Sequence, residues 1–250
     1  MGMPLALGFA LLIGASLALF GAGGSIVTVP VLVYVLGLDP HSAAGTSLVV
    51  VGVVAAVGAI VQWRAASLRT GVAFGLAGML GALPGAWLNH HVPASVVLLG
   101  FAATMLAAAG RMGAVTGRAR SASSAEVAPM RAILLGVGVG VATGLFGVGG
   151  GFLIVPALTL FLGVPIRRAV ATSLIVIALN SLAGLAGHVA YGGVEWRLGS
   201  ELTLAALGGA AITLPLARRL TGPALQRSFA GALALLGVVM LLETVRGMLA

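Results

Sequence analysis

Residues Leu19–Leu48 recur at Leu145–Leu174 with a constant offset of 126 and no gap, and 14 of the 30 aligned positions are identical. They include Phe20/Phe146, Gly21/Gly147, Gly23/Gly149, Gly24/Gly150, Pro30/Pro156, Gly37/Gly163, Thr46/Thr172 and Ser47/Ser173. Chance self-matching in a chain this rich in Ala, Val, Leu and Gly would give roughly four. The chain is therefore a duplicated unit, and each copy carries the same glycine-rich interruption in apolar sequence.

Composition fixes the solvent around that interruption. With 60% hydrophobic residues and 7% charged, the chain cannot coat a soluble domain, whose charged fraction is normally about 25%. Its place is a bilayer. Thirteen Arg and no Lys against five acids give a net charge of +8. The arginines fall in short gaps between apolar runs, which marks them as topology signals and anionic-lipid contacts and not as a nucleic-acid surface. Cysteine is absent, so a disulfide framework and thiolate metal sites are excluded.

The apolar runs are Pro4–Phe20, Ile26–Gly37, Ala43–Gln62, Gly71–Leu88, Ser95–Ala109, Ile133–Phe146, Phe152–Gly163, Ala169–Val189, Gly199–Leu216 and Leu225–Leu242. A helix needs about 20 residues to cross the hydrocarbon core. Ile26–Gly37 and Phe152–Gly163 are too short, and Pro30 and Pro156 disturb hydrogen bonding near their starts. Each reads as half of a broken element whose other half is the preceding run. The sequence thus predicts an all-α polytopic membrane protein of two homologous, inverted repeats. Each repeat has a Gly-broken hairpin or discontinuous first helix plus three spanning helices. Residues 1–111 form the first repeat, 112–130 an inter-repeat loop and 131–250 the second. The serine-rich composition of Arg111–Arg131 predicts a mobile connection. The N-terminal run lacks a basic segment before it, since the first Arg is Arg64, and its equivalent recurs in mid-chain. It reads as core structure and not as a cleaved signal.

Arginine placement argues for inversion. If each glycine break is the tip of a hairpin, 11 of the 13 arginines share one side and only Arg197 and Arg246 lie opposite. If each broken element crosses once, the split is eight against five. The positive-inside rule favours the first arrangement, with arginine-rich loops cytoplasmic and both termini outside.

A glycine cluster at bilayer depth leaves backbone N–H groups unpartnered unless they are packed in protein or face water. Gly21–Ser25 and Gly147–Gly151 each precede a short helix whose N-terminus would offer N–H donors and a positive dipole end to an anion. Two inverted copies are expected to bring these ends together near the midplane. Close helix packing by small residues is the competing explanation. The hydroxyls of Thr46, Ser47, Thr172 and Ser173 either add donors to the same anion or bond carbonyls one turn back. Asn180, a primary amide within an apolar span, faces either a partner or a cavity.

His188 and its counterpart Gln62 sit near span ends, where a proton relay and an interfacial role both remain open. Asp39, His41, His90 and His91 flank loops, and Glu201 and Glu243 lie near span ends. No carboxylate falls at the centre of a span, which counts against a carboxylate relay of a cation pump. No Ser-His-Asp order, P-loop, HExxH or cofactor box is present, so no enzyme, no metal and no cofactor is expected.

The ordered pair of Gly-x-Gly-Gly-(Gly/Ser) breaks, each followed by Pro and then by Ala-x-x-Thr-Ser, resembles the sulfite exporter TauE/SafE family, also called the toluene-sulfonate uptake permease family. The likeness runs from about Leu5 to Leu242. It implies a multi-pass inner-membrane protein moving a small anion, such as sulfite or an organosulfonate, without ATP. The signature positions it implies are Gly21, Gly23, Gly24, Ser25, Pro30, Thr46 and Ser47, then Gly147, Gly149, Gly150, Gly151, Pro156, Thr172 and Ser173. Ser25 stands where the family commonly has a third glycine, so the half-sites are unequal. Expected partners are a small anionic solute and the bilayer, with no nucleic acid and a homo-oligomer left open. Competing readings are an anion channel, a cation carrier, and a non-transporting accessory or scaffold protein.

Overall fold

A computed structural model of the chain describes residues 2–21, 28–29, 31–89, 91–115, 129–146, 151–190 and 193–249. In hydrocarbon a chain has to satisfy its backbone polar groups internally, and the described residues form helices and short turns. Helix α1 spans Gly2–Phe20, α2 Pro40–Val61, α3 Leu68–Asn89 and α4 Ala94–Val115. The second half holds α5 at Pro129–Phe146, the short α6 at Gly151–Pro156, α7 at Ile166–Ala190, α8 at Trp196–Arg219 and α9 at Gly222–Leu249. Pro40 and Pro129 open their helices, where the missing N–H has no intrahelical partner to lose. Seven helices, α2 to α5 and α7 to α9, are long and apolar enough to span a membrane. Side chains such as Leu204, 71% exposed, and Ile212, 76% exposed, form the apolar coat such a helix turns to lipid.

Pro156 precedes a widened turn: Ala157–Phe161 is π-helical, as is Val31–Val35 in the first half. The Pro156 ring cannot donate and crowds the carbonyl four residues back, so the helix widens instead of continuing. Gly37 and Gly163, at φ +70° and +66°, end these returning segments in the left-handed region.

The first helices differ from the reading of half-length pieces. α1 has 19 residues and α5 has 18, so each covers close to 28 Å at ~1.5 Å per residue. They begin earlier than the apolar runs suggest, because Gly2, Met3 and the Pro129–Arg131 turn are also helical. Helix α4 likewise continues to Val115, beyond the expected end of the first repeat.

Glycines set the packing. Gly81 and Gly85 of α3 lie against Val137 and Val141 of α5, while Gly136, Gly140 and Gly144 lie against Phe74, Gly78 and Ala82. Numbers rise together on both sides, so α3 and α5 run parallel. At the related interface, Gly14 of α1 meets Ala206 of α8, and Gly209 of α8 meets Leu11. The first helix of each repeat therefore packs on the third helix of the other. In contrast, α2 and α7 run antiparallel, with Gly52 against Ser181, Gly58 against Leu174 and Gly184 against Leu48. Helices α4 and α9 are antiparallel too: Gln226 Nε2 donates to the Met112 carbonyl at 2.8 Å, and Gly237 faces Met105.

These pairings sort the charges. The ends carrying Arg64, Arg69, Arg111, Arg131, Arg167, Arg168, Arg218, Arg219 and Arg227 lie together, whereas Arg197, Arg246, Asp39, Glu195, Glu201 and Glu243 belong to the other end. Arg118, Arg120 and Glu126 fall outside the described residues.

The parallel interface makes a sharp prediction. A Cβ at Gly140 would sit 2.2 Å from the Gly78 carbonyl oxygen, whereas one at Gly138 meets nothing within 4 Å. Gly140→Val should destabilise by about 1–3 kcal/mol or more through overpacking, and Gly138→Ala should be close to neutral. Thermal unfolding of the two purified variants checks this, and equal melting temperatures would refute it.

Candidate functional site

The first break begins where α1 runs into Gly21. Its N–H bonds the Leu17 carbonyl at 2.8 Å, its φ is +65°, and its carbonyl accepts the Ser173 hydroxyl at 2.8 Å. The same hydroxyl lies 2.8 Å from the Val170 carbonyl, so one proton is shared between two acceptors. A Cβ at Gly21 would stand 2.5 Å from Ser173 Oγ and 2.7 Å from Val170 O. Both the left-handed backbone and the space demand glycine. One edge of the first break is thus tied to the repeated Thr-Ser motif of the other half.

At the second break α5 ends with Phe146 and α6 starts with the buried Gly151. Phe146 and Phe152 pack on Phe101 of α4 at 5.4 and 4.7 Å between ring centroids. The first break has the matching contact, Phe20 on Phe229 of α9 at 5.6 Å. Phe101 and Phe229 each lie about two turns into their antiparallel helices, counted from opposite ends. The edges of the two breaks are therefore offset along the bundle by roughly ten residues, ~15 Å at 1.5 Å per residue. The expected meeting of the two helix starts at the midplane concerns residues 22–27 and 147–150, which lie outside the described residues. Gly23, Gly24, Ser25, Pro30, Gly147, Gly149 and Gly150 lie outside the described residues.

The Thr-Ser pairs are also placed apart. Since α2 and α7 are antiparallel, Thr46 and Thr172 lie near opposite ends, ~21 Å apart along the bundle by the 1.5 Å rise. Both are buried. Thr172 Oγ1 accepts the Ser67 N–H at 3.0 Å, and Thr46 Oγ1 accepts the Glu195 N–H at 3.0 Å. Ser67 and Glu195 directly precede α3 and α8, so each threonine satisfies an amide at the start of the other repeat's third helix. Ser47 donates to the Ala44 carbonyl at 2.7 Å, the one-turn-back bond that was one of the two options.

Asn180 sits seven residues after Ser173 on α7, on the same helix face by periodicity. Its Oδ1 is buried with no hydrogen-bond partner among the described residues. Asp39 accepts the Ser42 N–H at 3.3 Å, and Glu201 pairs with exposed Arg197 at 3.3 Å. The side chains of His41, His90, His188 and Glu243 lie outside the described residues. No cluster of three His, Cys, Asp or Glu suited to a metal occurs among the described residues.

Gln62 is the residue whose importance the sequence understated. It follows α2 at the arginine end and lines a cavity of ≈510 Å³, together with Ala18, Leu19, Arg64, Arg167 and Val170. Its Nε2 is buried with no acceptor among the described residues. Arg64 lies over the Trp63 ring at 5.5 Å, and the Arg167 guanidinium donates to the Leu220 carbonyl. No Asp or Glu lines the cavity among the described residues. Ala18, Leu19 and Val170 put its floor beside the Gly21 edge of the first break.

Apolar spanning helices, interrupted segments and a cationic cavity define a polytopic membrane transporter, and comparison with known sequences agrees. The sequence profile of the sulfite exporter TauE/SafE family matches residues 6–240, and the chain belongs to that family. A "Probable membrane transporter protein" of Xylella fastidiosa is 34% identical over 84% of this chain and 83% of its own. The "Probable membrane transporter protein YdhB" of Bacillus subtilis is 27% identical, over 80% of this chain and 84% of its own. The archaeon Methanocaldococcus jannaschii has a "Probable membrane transporter protein" 29% identical over 75% of this chain and 72% of its own. No solved structure matches the chain.

The threonine bonds are directly testable. Thr46→Val and Thr172→Val should each cost about 1 kcal/mol or more by orphaning a helix-start amide, while Thr→Ser at either position should retain most of it. Denaturation of the four variants measures the difference. Indistinguishable Val and Ser variants would contradict the tether.

Proposed function

We propose that this membrane transporter is a secondary carrier of a small oxyanion, working by alternating access between two inverted repeats. The observation that carries the reading is the antiparallel crossing of related helices, with one break edge towards each end of the bundle. Such a pseudo-two-fold axis in the membrane plane supplies two related half-paths to one substrate. The sign of the charge follows from the donors: backbone N–H groups of residues 23–25 and 149–151 suit an anion. No carboxylate lies at the centre of a described span, which counts against a carboxylate relay for a cation. Sulfite, an organosulfonate or a related oxyanion fits this chemistry and the family.

Thr46 and Thr172, together with Ser47, support the site from behind by fixing the helices around it. Because α1 packs on α8 and α5 on α3, the moving bodies would be drawn from both repeats. By the positive-inside rule the arginine end faces the cytoplasm of a cell whose inner membrane holds the protein, and both termini face outward. The cavity beside Gly21 would then be the inward-facing opening.

Transport is the decisive measurement. Vesicles containing the purified protein should take up labelled sulfite or a small sulfonate with saturation and counterflow, and Gly149→Val or Gly150→Val should abolish uptake while leaving an insertable protein. Normal uptake by either variant would overturn the site. Currents of high unitary conductance would point to a channel, and absence of flux across a panel of oxyanions to an accessory role. For sidedness, single cysteines at Arg64 and Arg246 should be labelled by an impermeant reagent from opposite faces, with residue 246 reached from outside. The reverse pattern would overturn the assigned orientation.

A further inference from the structure

The cavity at the arginine end contains a binding constellation separate from the glycine breaks. Its polar border is Gln62, Arg64 and Arg167, and its described lining residues include two arginines and no Asp or Glu. Inside protein, an amide donor with no acceptor is a costly exception that calls for an explanation. Gln62 Nε2 is such a donor. It also stands at a neck. Beyond it a second space of ≈150 Å³ continues towards Val54, lined by Leu17, Val57, Leu174 and Leu207. Gln62, Ala18, Val61 and Leu214 border both spaces. An anion arriving from the arginine end keeps its charge compensated up to Gln62 and would lose hydration beyond it without replacement.

We propose that Gln62, Arg64 and Arg167 form an oxyanion subsite that halts a free, soluble anion at this neck before it reaches the breaks. The Gln62 amide donates to one oxygen and the guanidinium groups supply positive charge, a donor set suited to a compact oxyanion and unsuited to a cation. Arg64 rests on Trp63 by a cation–π contact, so a bound anion that draws Arg64 inward changes the surroundings of that ring. The subsite rests on the anion-transport reading for its purpose, but its occupancy is measurable without transport.

Trp63 provides the readout. The chain has three tryptophans, and Trp87 and Trp196 lie at the far end of α3 and the start of α8. In the full-length Trp87→Phe, Trp196→Phe protein, sodium sulfate should change Trp63 emission saturably. Sodium chloride at matched ionic strength should not. Gln62→Glu and Gln62→Leu should each weaken sulfate binding about tenfold or more, the loss expected for one hydrogen bond to a charged ligand. Arg64→Gln, an exposed position, should do likewise in a protein that remains monodisperse.

A sulfate response absent from the parent, or of equal affinity in Gln62→Glu and Arg64→Gln, overturns the subsite. So does a response present in phosphatidylcholine discs but lost in phosphatidylglycerol discs, which would make a lipid head group the occupant. Oxyanion uptake by vesicles with an unresponsive Trp63 would sink the subsite alone. A responsive Trp63 without uptake of any anion would sink the transport reading and leave the subsite standing.

Discussion

The rest of the structure depends on how closely backbones approach one another where no water can intervene. Hydrophobic segregation gives helices no reason to associate inside lipid, because the surrounding chains are as apolar as leucine. What remains is contact, and contact improves as side chains shrink. At Gly81, Gly85, Gly136, Gly140 and Gly144 the facing carbonyl occupies the place of a side chain. These glycines bring α3 and α5 together, as Gly14 and Gly209 do for α1 and α8. The antiparallel pairs α2/α7 and α4/α9 then have a fixed frame in which to cross.

Within that frame the glycines serve two different ends, and the distinction is physical. Those in helix interiors keep ordinary helical backbone and act by leaving space. Gly21 acts through its conformation as well, ending α1 in the left-handed region with a carbonyl free to accept from Ser173. The interruption is therefore anchored at its near edge. A break whose edge is held by a hydrogen bond from another helix can remain at depth without fraying.

Much of this was legible from residue order. The apolar runs located the long helices, Pro156 marked the place where the second short helix changes character, and of the eleven described arginines all but Arg197 and Arg246 lie at one end of the bundle. The depth of the breaks was not legible, because an apolar run does not announce where its helix starts. Gly2–Met3 and Pro129–Arg131 extend α1 and α5 at their starts. The threonines were ambiguous for another reason: a hydroxyl that satisfies a distant helix start looks, in sequence, like one that awaits a ligand. Gln62 reads in sequence as the counterpart of His188, whereas the cavity it lines also includes Trp63, Arg64 and Arg167, the last of them distant in sequence.

The exchange of first helices between halves bears on how the molecule can be made. When translation has delivered α1 to α4, the glycine faces of α1 and α3 still await partners that the ribosome has not yet produced. Each half leaves a glycine face uncovered until the other arrives, and the interlocked core closes only once α8 has entered the bilayer.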